Sequence, residues 1–415
     1  MEFVRGVVGA APYSQVMVAG GEFGKALSVR NRRFLTALPE GEPRGVWKGK
    51  IMELLQDIGH RYQDAFGAED VSALPMKKGV LRWLQLYFGQ NDDCLRLPYT
   101  LVRKLTRAVL CEYAPEGFAQ LLPAREALEL ALIAGECYLK PGESQWQAIS
   151  RGSILIFGRD NRGEPTDVGL MEKSMLGRQY FTLLERRTLD AQGLLTVTHR
   201  LYRAGHRQEL GREVPLKTHP MYAALPARFR WPHPIGGVGL VRLRTPMTNC
   251  VDGSKEGVSI YAAAEALLRA ISENELQLQG EFRRGQSRLV VSRDMLRDGQ
   301  LKDELFVGLD ESPESVGITV FSPELREQSY LNRQQAYLRA MENLIGLKRG
   351  LLSQVEAVDR TATEITSSEG EYMGLIRELQ QMWETAAESA AALQEALTGE
   401  RQEYAIAWGD GVLNG

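Results

Sequence analysis

Thr361-Ala-Thr-Glu364-Ile-Thr-Ser-Ser-Glu-Gly-Glu-Tyr372 opens the stretch whose reading decides this chain. Thr361 and Glu364 stand at capping-box spacing, in which the hydroxyl accepts from an orphan backbone N–H and the carboxylate reaches back to the cap. Apolar residues then recur at Tyr372, Leu375, Leu379, Met382, Ala386, Ala390, Leu393 and Leu397. Steps of three and four predict one amphipathic helix from Thr361 to about Leu397. Its other face is acidic, with Glu364, Glu369, Glu371, Glu378, Glu384, Glu388 and Glu395 against Arg377. Pattern alone describes a solvated helix with one buried stripe.

Composition narrows the classes. A chain of 415 residues and 46.4 kDa has length for two or three domains, or for one with long insertions. Its 44% hydrophobic residues, 25% charged residues and net charge of -3 speak against global disorder and against a bulk basic bias towards nucleic acid. Cys94, Cys111, Cys137 and Cys250 are scattered without Cys-x-x-Cys pairing, which supports neither a zinc ribbon nor a disulfide framework and reads as buried thiols in a reducing compartment. No apolar run reaches the ~18 residues of a membrane span. The start is broken by glycines and Pro12 rather than built as a signal peptide, so the expectation is a cytosolic product without a membrane partner.

The search for chemistry yields little. There is no His-Glu-x-x-His and no Gly-x-Ser-x-Gly. Gly20-Gly-Glu-Phe-Gly24-Lys25-Ala26 is one spacer short of a phosphate loop and has Ala26 where the metal-binding hydroxyl belongs. Gly236-Gly-Val-Gly239 leads into a strand-like run rather than the helix a dinucleotide site needs. His60, His199, His206, His219 and His233 are far apart and are expected in loops or at the surface. The sequence assigns no catalytic residue, no metal ligand and no cofactor, and a non-enzyme is expected; residues brought together only by folding escape such a search.

Taken in order, residues 1–45 lack any sustained period and predict an irregular arm. Helical periodicity marks Val46 to Phe66, Val80 to Phe88, Pro98 to Ala114 and Ala124 to Ala134. From Ser150 to Val241 the period falls to two, with turns at Arg159-Asp-Asn-Arg-Gly163 and Asp190-Ala-Gln-Gly193 and strands over Tyr180 to Arg187 and Leu194 to Arg203. Between Glu172 and Arg244, thirteen Lys or Arg face five Asp or Glu. That excess is either a surface for DNA or an acidic neighbour, or the outward positions of ordinary strands. Helices then follow over Val258 to Arg284 and Pro323 to Ile345, flanking three short β-branched runs, Ser287 to Val291, Glu304 to Leu309 and Val316 to Val320.

These passages, in this order, resemble the portal proteins of tailed bacteriophages, of the family found in siphophages and prophages of Gram-positive bacteria. The matching passages are Trp83-Leu-Gln-Leu-Tyr87, Ala134-Gly-Glu-Cys-Tyr-Leu-Lys140-Pro141, Glu185 through His199-Arg-Leu-Tyr202, and Pro246-Met-Thr-Asn249 through Gly257-Val-Ser259. The Thr-Ala-Thr-Glu364 opening and Tyr404-Ala-Ile-Ala-Trp408-Gly-Asp410 complete the set. Arg187 departs from the family pattern, which often has His two residues after that Glu.

The resemblance implies an α+β portal fold: a flexible arm (1–45), an α/β wing (46–256), a stem helix (257–286), a small β-rich clip (287–322), a second stem helix (323–347), a tunnel loop (348–360), the long acidic channel helix (361–398) and a returning wing strand (399–415), with the crown reduced or absent. It further implies a homo-oligomeric ring, by family a dodecamer, at one capsid vertex of the virion, assembled in the host cytoplasm. Double-stranded DNA would pass through its channel. Its other partners would be the terminase large subunit, a head-tail adaptor, and the major capsid and scaffold proteins. Lys348, Arg349, Gln354, Glu356, Asp359 and Arg360 would be the tunnel-loop contacts, with Gly346 and Gly350 as flexible points; Thr361, Thr363 and Glu364 the helix cap; and Asp303, Glu304, Asp310 and Glu311 the clip's docking surface. The rival is another phage or coiled-coil structural protein, a scaffold or head-tail adaptor.

Overall fold

The computed structural model describes residues 78–88, 95–142, 145–206, 211–285, 288–292, 306–309, 319–321, 324–354 and 362–409. The arm and the helix expected over 46–66 lie outside them. The chain divides into a larger unit, within Met1–Ala263 and Glu369–Gly415, and a smaller one, Ala264–Ser368.

In the larger unit the organising element is α3 (Ala124–Ala134), whose residues from Ala127 to Ala134 are all buried. Two helices pack on it: α1 (Lys78–Phe88), which buries Trp83, Leu84 and Tyr87, and α2 (Leu97–Val109), which buries Leu101, Leu105 and Val109. Each fully buried Leu at such a contact contributes about 1.5–3 kcal/mol of transfer free energy. Helix α2 stops at Val109, five residues before the periodicity suggested. Pro115 disfavours the helical region at Ala114, and the chain turns, through Glu112 at φ 57°, into β1 (Ala114–Gly117). That strand pairs antiparallel with β14 (Tyr404–Ala407).

Helix α3 ends at Gly135, φ 84°, and runs directly into β2 (Glu136–Lys140). This is the middle strand of a sheet ordered β10 (Val241–Arg244), β2, β3 (Gln147–Ser150). Gly135 and Gly257 cross so closely that a Cβ on either would lie 2.4 Å or less from the other's backbone. Only glycine permits that approach. A longer antiparallel sheet follows: β4 (Ile154–Arg159), β5 (Pro165–Leu176), β6 (Gln179–Leu189), β7 (Leu195–Ala204) and β8 (Arg212–Val214), with β9 (Arg228–Arg230) also on β7. Its first and third hairpins are built alike. The Asp160 carboxylate accepts from the backbone N–H of Arg162 and Glu164, that of Asp190 from Gln192 and Leu194, and Gly163 and Gly193 take positive φ.

The helix expected from Val258 begins at Glu265. Residues 258–261 are used otherwise: the Ile260 N–H and the Ser259 hydroxyl both donate to the Leu132 carbonyl, at 3.0 and 3.1 Å. That carbonyl is one of the orphans of α3's last turn, so the segment caps α3 instead of starting its own helix.

In the smaller unit α4 (Glu265–Arg284) lies against α5 (Glu327–Ile345). Buried Asn274 ties them, donating to the Tyr330 carbonyl at 3.0 Å and accepting from Arg333 at 2.5 Å. Residues 324–326, expected inside α5, are not helical. Between the helices, β11 (Arg288–Ser292) is flanked by β12 (Phe306–Leu309) and β13 (Thr319–Phe321). The β11–β12 pair is parallel, against the antiparallel rule of the other sheets. The last helix, α6, is Ala362–Thr398. The class is mixed α+β.

Candidate channel elements and buried ion clusters

The first half of the expected tunnel loop is hydrogen-bonded to α5. Buried Glu342, near the end of α5, accepts from the backbone N–H groups of Gly350, Leu352 and Ser353 at 3.2, 2.6 and 2.8 Å, and from the Ser353 hydroxyl at 2.7 Å. Successive N–H groups converging on one carboxylate form an anion nest. Gly346 and Gly350, read from sequence as flexible points, hold φ 76° and 88°; the first caps α5 and the second donates its N–H to Glu342. Lys348 is half-buried, Arg349 exposed, and the Gln354 N–H donates to the Gln335 side chain at 2.7 Å. Glu356, Asp359, Arg360 and Thr361 lie outside the described residues, as do Asp303, Glu304, Asp310 and Glu311. Thr363 and Glu364 fall in the first turn of α6; their side chains are outside the described set.

Glu342→Ala removes all four bonds and is expected to cost about 1.5–3 kcal/mol. Hydrogen exchange is the direct check. Amide protection at 350–353 should fall sharply while that of the α5 core at 338–341 changes far less; unchanged protection at 350–353 would refute the nest.

Helix α6 buries Tyr372, Leu375, Ile376, Leu379, Trp383, Ala386, Ala387, Ala390, Ala391 and Leu393. The stripe is wider than the sequence pattern indicated. Met382 and Leu397 are only half-buried, whereas Trp383, absent from the pattern, is fully enclosed and donates its Nε1–H to the Tyr113 hydroxyl at 3.0 Å. Burial pushes the Tyr113 hydroxyl up, and the Trp383 bond partly offsets that. On the opposite face Glu371, Glu378, Glu384, Glu388 and Glu395 are exposed. Trp408 beyond β14 donates to Glu384 and packs on Tyr113, with ring centroids 5.0 Å apart.

Two buried carboxylates organise the sheets of the larger unit. Glu136, 1% exposed, sits among Arg151, Arg159 and Arg242 and also accepts from the Tyr138 hydroxyl and the Gly257 N–H, at 2.8 Å each. Burial alone would raise its pKa; the three guanidinium groups and the backbone N–H outweigh that and lower it to about 2. Glu185 pairs with Lys140 at 2.7 Å, with Arg187, and with His199 at 3.5 Å. Burial again opposes ionisation, and Arg187, His199 and Lys140 hold this carboxyl well below its usual range. Arg187 also donates to the carbonyls of Val238 and Gly239 at 3.2 and 2.7 Å.

These clusters collect residues from separate passages of the sequence. Lys140 and Glu185 join β2 to β6, while the Asn249 side chain folds the loop that delivers Gly257, accepting from Val251 and Asp252 and donating to Ser254 and Glu256. Thr245 closes the crossing, its backbone N–H donating to the Gly135 carbonyl and its hydroxyl to that of Val258.

Two expectations need correction. His199 is in neither a loop nor the open surface but in β7, within the Glu185 cluster, whereas His219 does sit in a loop, yet is buried there with its ring 4.9 Å from Phe181 and 4.8 Å from Tyr222. Of the thiols, Cys137 is buried and Cys111 half-buried, but Cys250 is exposed in the Asn249 loop. His219 does approach a hydroxyl, Ser174 Oγ at 3.5 Å from Nε2. Its Nδ1, however, accepts from the Met221 N–H at 3.3 Å, which places the ring proton on Nε2. A ring in that tautomer donates to the serine and has no lone pair there to activate it.

Among the described residues, no group of three or more His, Cys, Asp or Glu is placed to hold a metal ion, and no helix is long and apolar enough to cross a membrane. No protein-family model matches the chain, and no curated protein does.

Proposed function

We propose that the chain is the subunit of a phage portal ring, the conduit at one capsid vertex through which a separate terminase drives double-stranded DNA and through which it later leaves. The observation that carries this reading is the order of elements: the helix pair α4 and α5 bracketing a three-stranded sheet, a connecting segment, and then a helix of 37 residues whose described exposed face is acidic. A conduit must not grip its cargo. Lys and Arg on phosphates release counterions and bind strongly, whereas a carboxylate wall repels the duplex and lets it slide.

The sequence passages that resemble the portal family also support it, since Lys140, Glu185, Asn249 and Gly257 occupy positions where another residue type would break an ion pair, a loop or a backbone crossing. The rival coiled-coil reading is disfavoured because the apolar face of α6 from Tyr372 to Leu393 is buried within this single chain, leaving no seam there for a partner helix. The test is the native mass of the purified protein: a closed ring has many times the 46.4 kDa of one chain, and a monomer or dimer would defeat the proposal.

A further inference from the structure

On the sheet of the larger unit, β6, β7 and β9 place Arg186, Thr198 and Arg228 in one row across three adjacent strands, with Leu184 and Arg200 in the next. These five residues line an open hollow of about 370 Å³. Its floor is apolar, because Leu184 is fully buried among Tyr202, Leu155, Phe157 and Met171. Its walls are cationic. Arg200 and Arg228 are exposed, and Arg186 is held from one side by Asp167 through bonds of 3.1 and 2.8 Å. Two residues beyond Arg228, on the same face, Arg230 pairs with Asp190.

We infer that this hollow binds phosphate groups of a nucleic-acid backbone. With one edge of Arg186 taken by Asp167, its remaining N–H groups, the exposed Arg200 and Arg228 and the Thr198 hydroxyl still exceed in number what the two oxygens of a carboxylate can use, and they suit a tetrahedral phosphate. The apolar floor lowers the local dielectric and strengthens each charge–charge contact. The file of arginines continues past the hollow to Arg230, which fits a polymer of phosphates better than a single one. Of the thirteen basic residues between Glu172 and Arg244, Arg186, Arg200, Arg228 and Arg230 thereby acquire a common face and a ligand. The site does not depend on ring formation.

The experiment compares the full chain with the Arg200→Gln, Arg228→Gln double variant. Both positions are exposed, and an unchanged thermal transition verifies the fold. Binding of a labelled DNA duplex, a labelled single strand, a polyglutamate of matched charge and inorganic phosphate is measured over a salt series. Losing two phosphate contacts should reduce the slope of log K against log salt by about 1.4–1.8, with weaker DNA binding at every salt concentration. Equal slopes in the two proteins would overturn the site. Polyglutamate bound as tightly as DNA would replace the ligand class with an acidic peptide, and inorganic phosphate bound without DNA would overturn the nucleic-acid source. None of these outcomes depends on whether rings form.

Discussion

Replacing Glu136 with Gln is expected to destabilise the larger unit by about 3–5 kcal/mol, because it leaves buried Arg151 and half-buried Arg159 and Arg242 around a neutral amide. Urea unfolding should show the midpoint falling accordingly. The control is Glu164→Gln: this partner of Arg242 is 54% exposed, and its loss should cost less than about 1 kcal/mol. The same carboxylate makes the fold acid-sensitive. Its folded pKa, about 2, lies below its ordinary 4.5, so its contribution is fully present above the ordinary value and is lost as pH falls through the folded one. Glu185 acts in the same direction. Glu136→Gln should therefore flatten the loss of stability between pH 4.5 and 2. A parent-like midpoint, or an unchanged acid profile, would show that the cluster does not hold the sheets.

Trp383→Ala is the second large effect, with an expected cost of about 3–5 kcal/mol for a fully enclosed indole. The cavity would open beneath α6, and the Tyr113 hydroxyl would lose its donor. Tyr113 also meets Trp408, so the pairing of β1 with β14 should loosen as well, read as lost amide protection at 404–407. Trp383→Phe keeps much of the volume and should recover most of the stability but not the hydrogen bond. A loss under about 1 kcal/mol for the alanine variant would mean that α6 is not packed as described.

Much of the local structure was legible because its causes are local. Asp160-Asn-Arg-Gly163 and Asp190-Ala-Gln-Gly193 each contain their own turn chemistry, an Asx carboxylate and a glycine at positive φ, and both hairpins lie where that spacing predicts. Helix α3 begins and ends at the predicted residues, with Pro123 before it and Gly135 after it. What escaped was set by distant partners. Residues 258–261 have helical periodicity, yet the Leu132 carbonyl claims their donors from across the fold. The parallel register of β12 on β11 has no local signature. Strand β5 was not singled out, since its outer half, from Met171 on, runs half-exposed or exposed without clean alternation.

The candidate site follows the same division. The acidic face of α6 could be counted from spacing, but Trp383 was missed because a strict stripe of threes and fours left it out. Glu342 looked like one more polar residue on a helix, and only the fold shows the loop closing over it. The Glu136 cluster is the extreme case, since Arg242 lies 106 residues from its carboxylate in sequence. Its members could not be assembled without the strand order β10, β2, β3.

The proposed function requires these chains to close into a ring around a channel. Negative-stain electron microscopy of the purified full-length protein tests it most directly. The prediction is closed, rotationally symmetric particles with a stain-filled central hole. Monomers, rods or open filaments in the same preparation would contradict it.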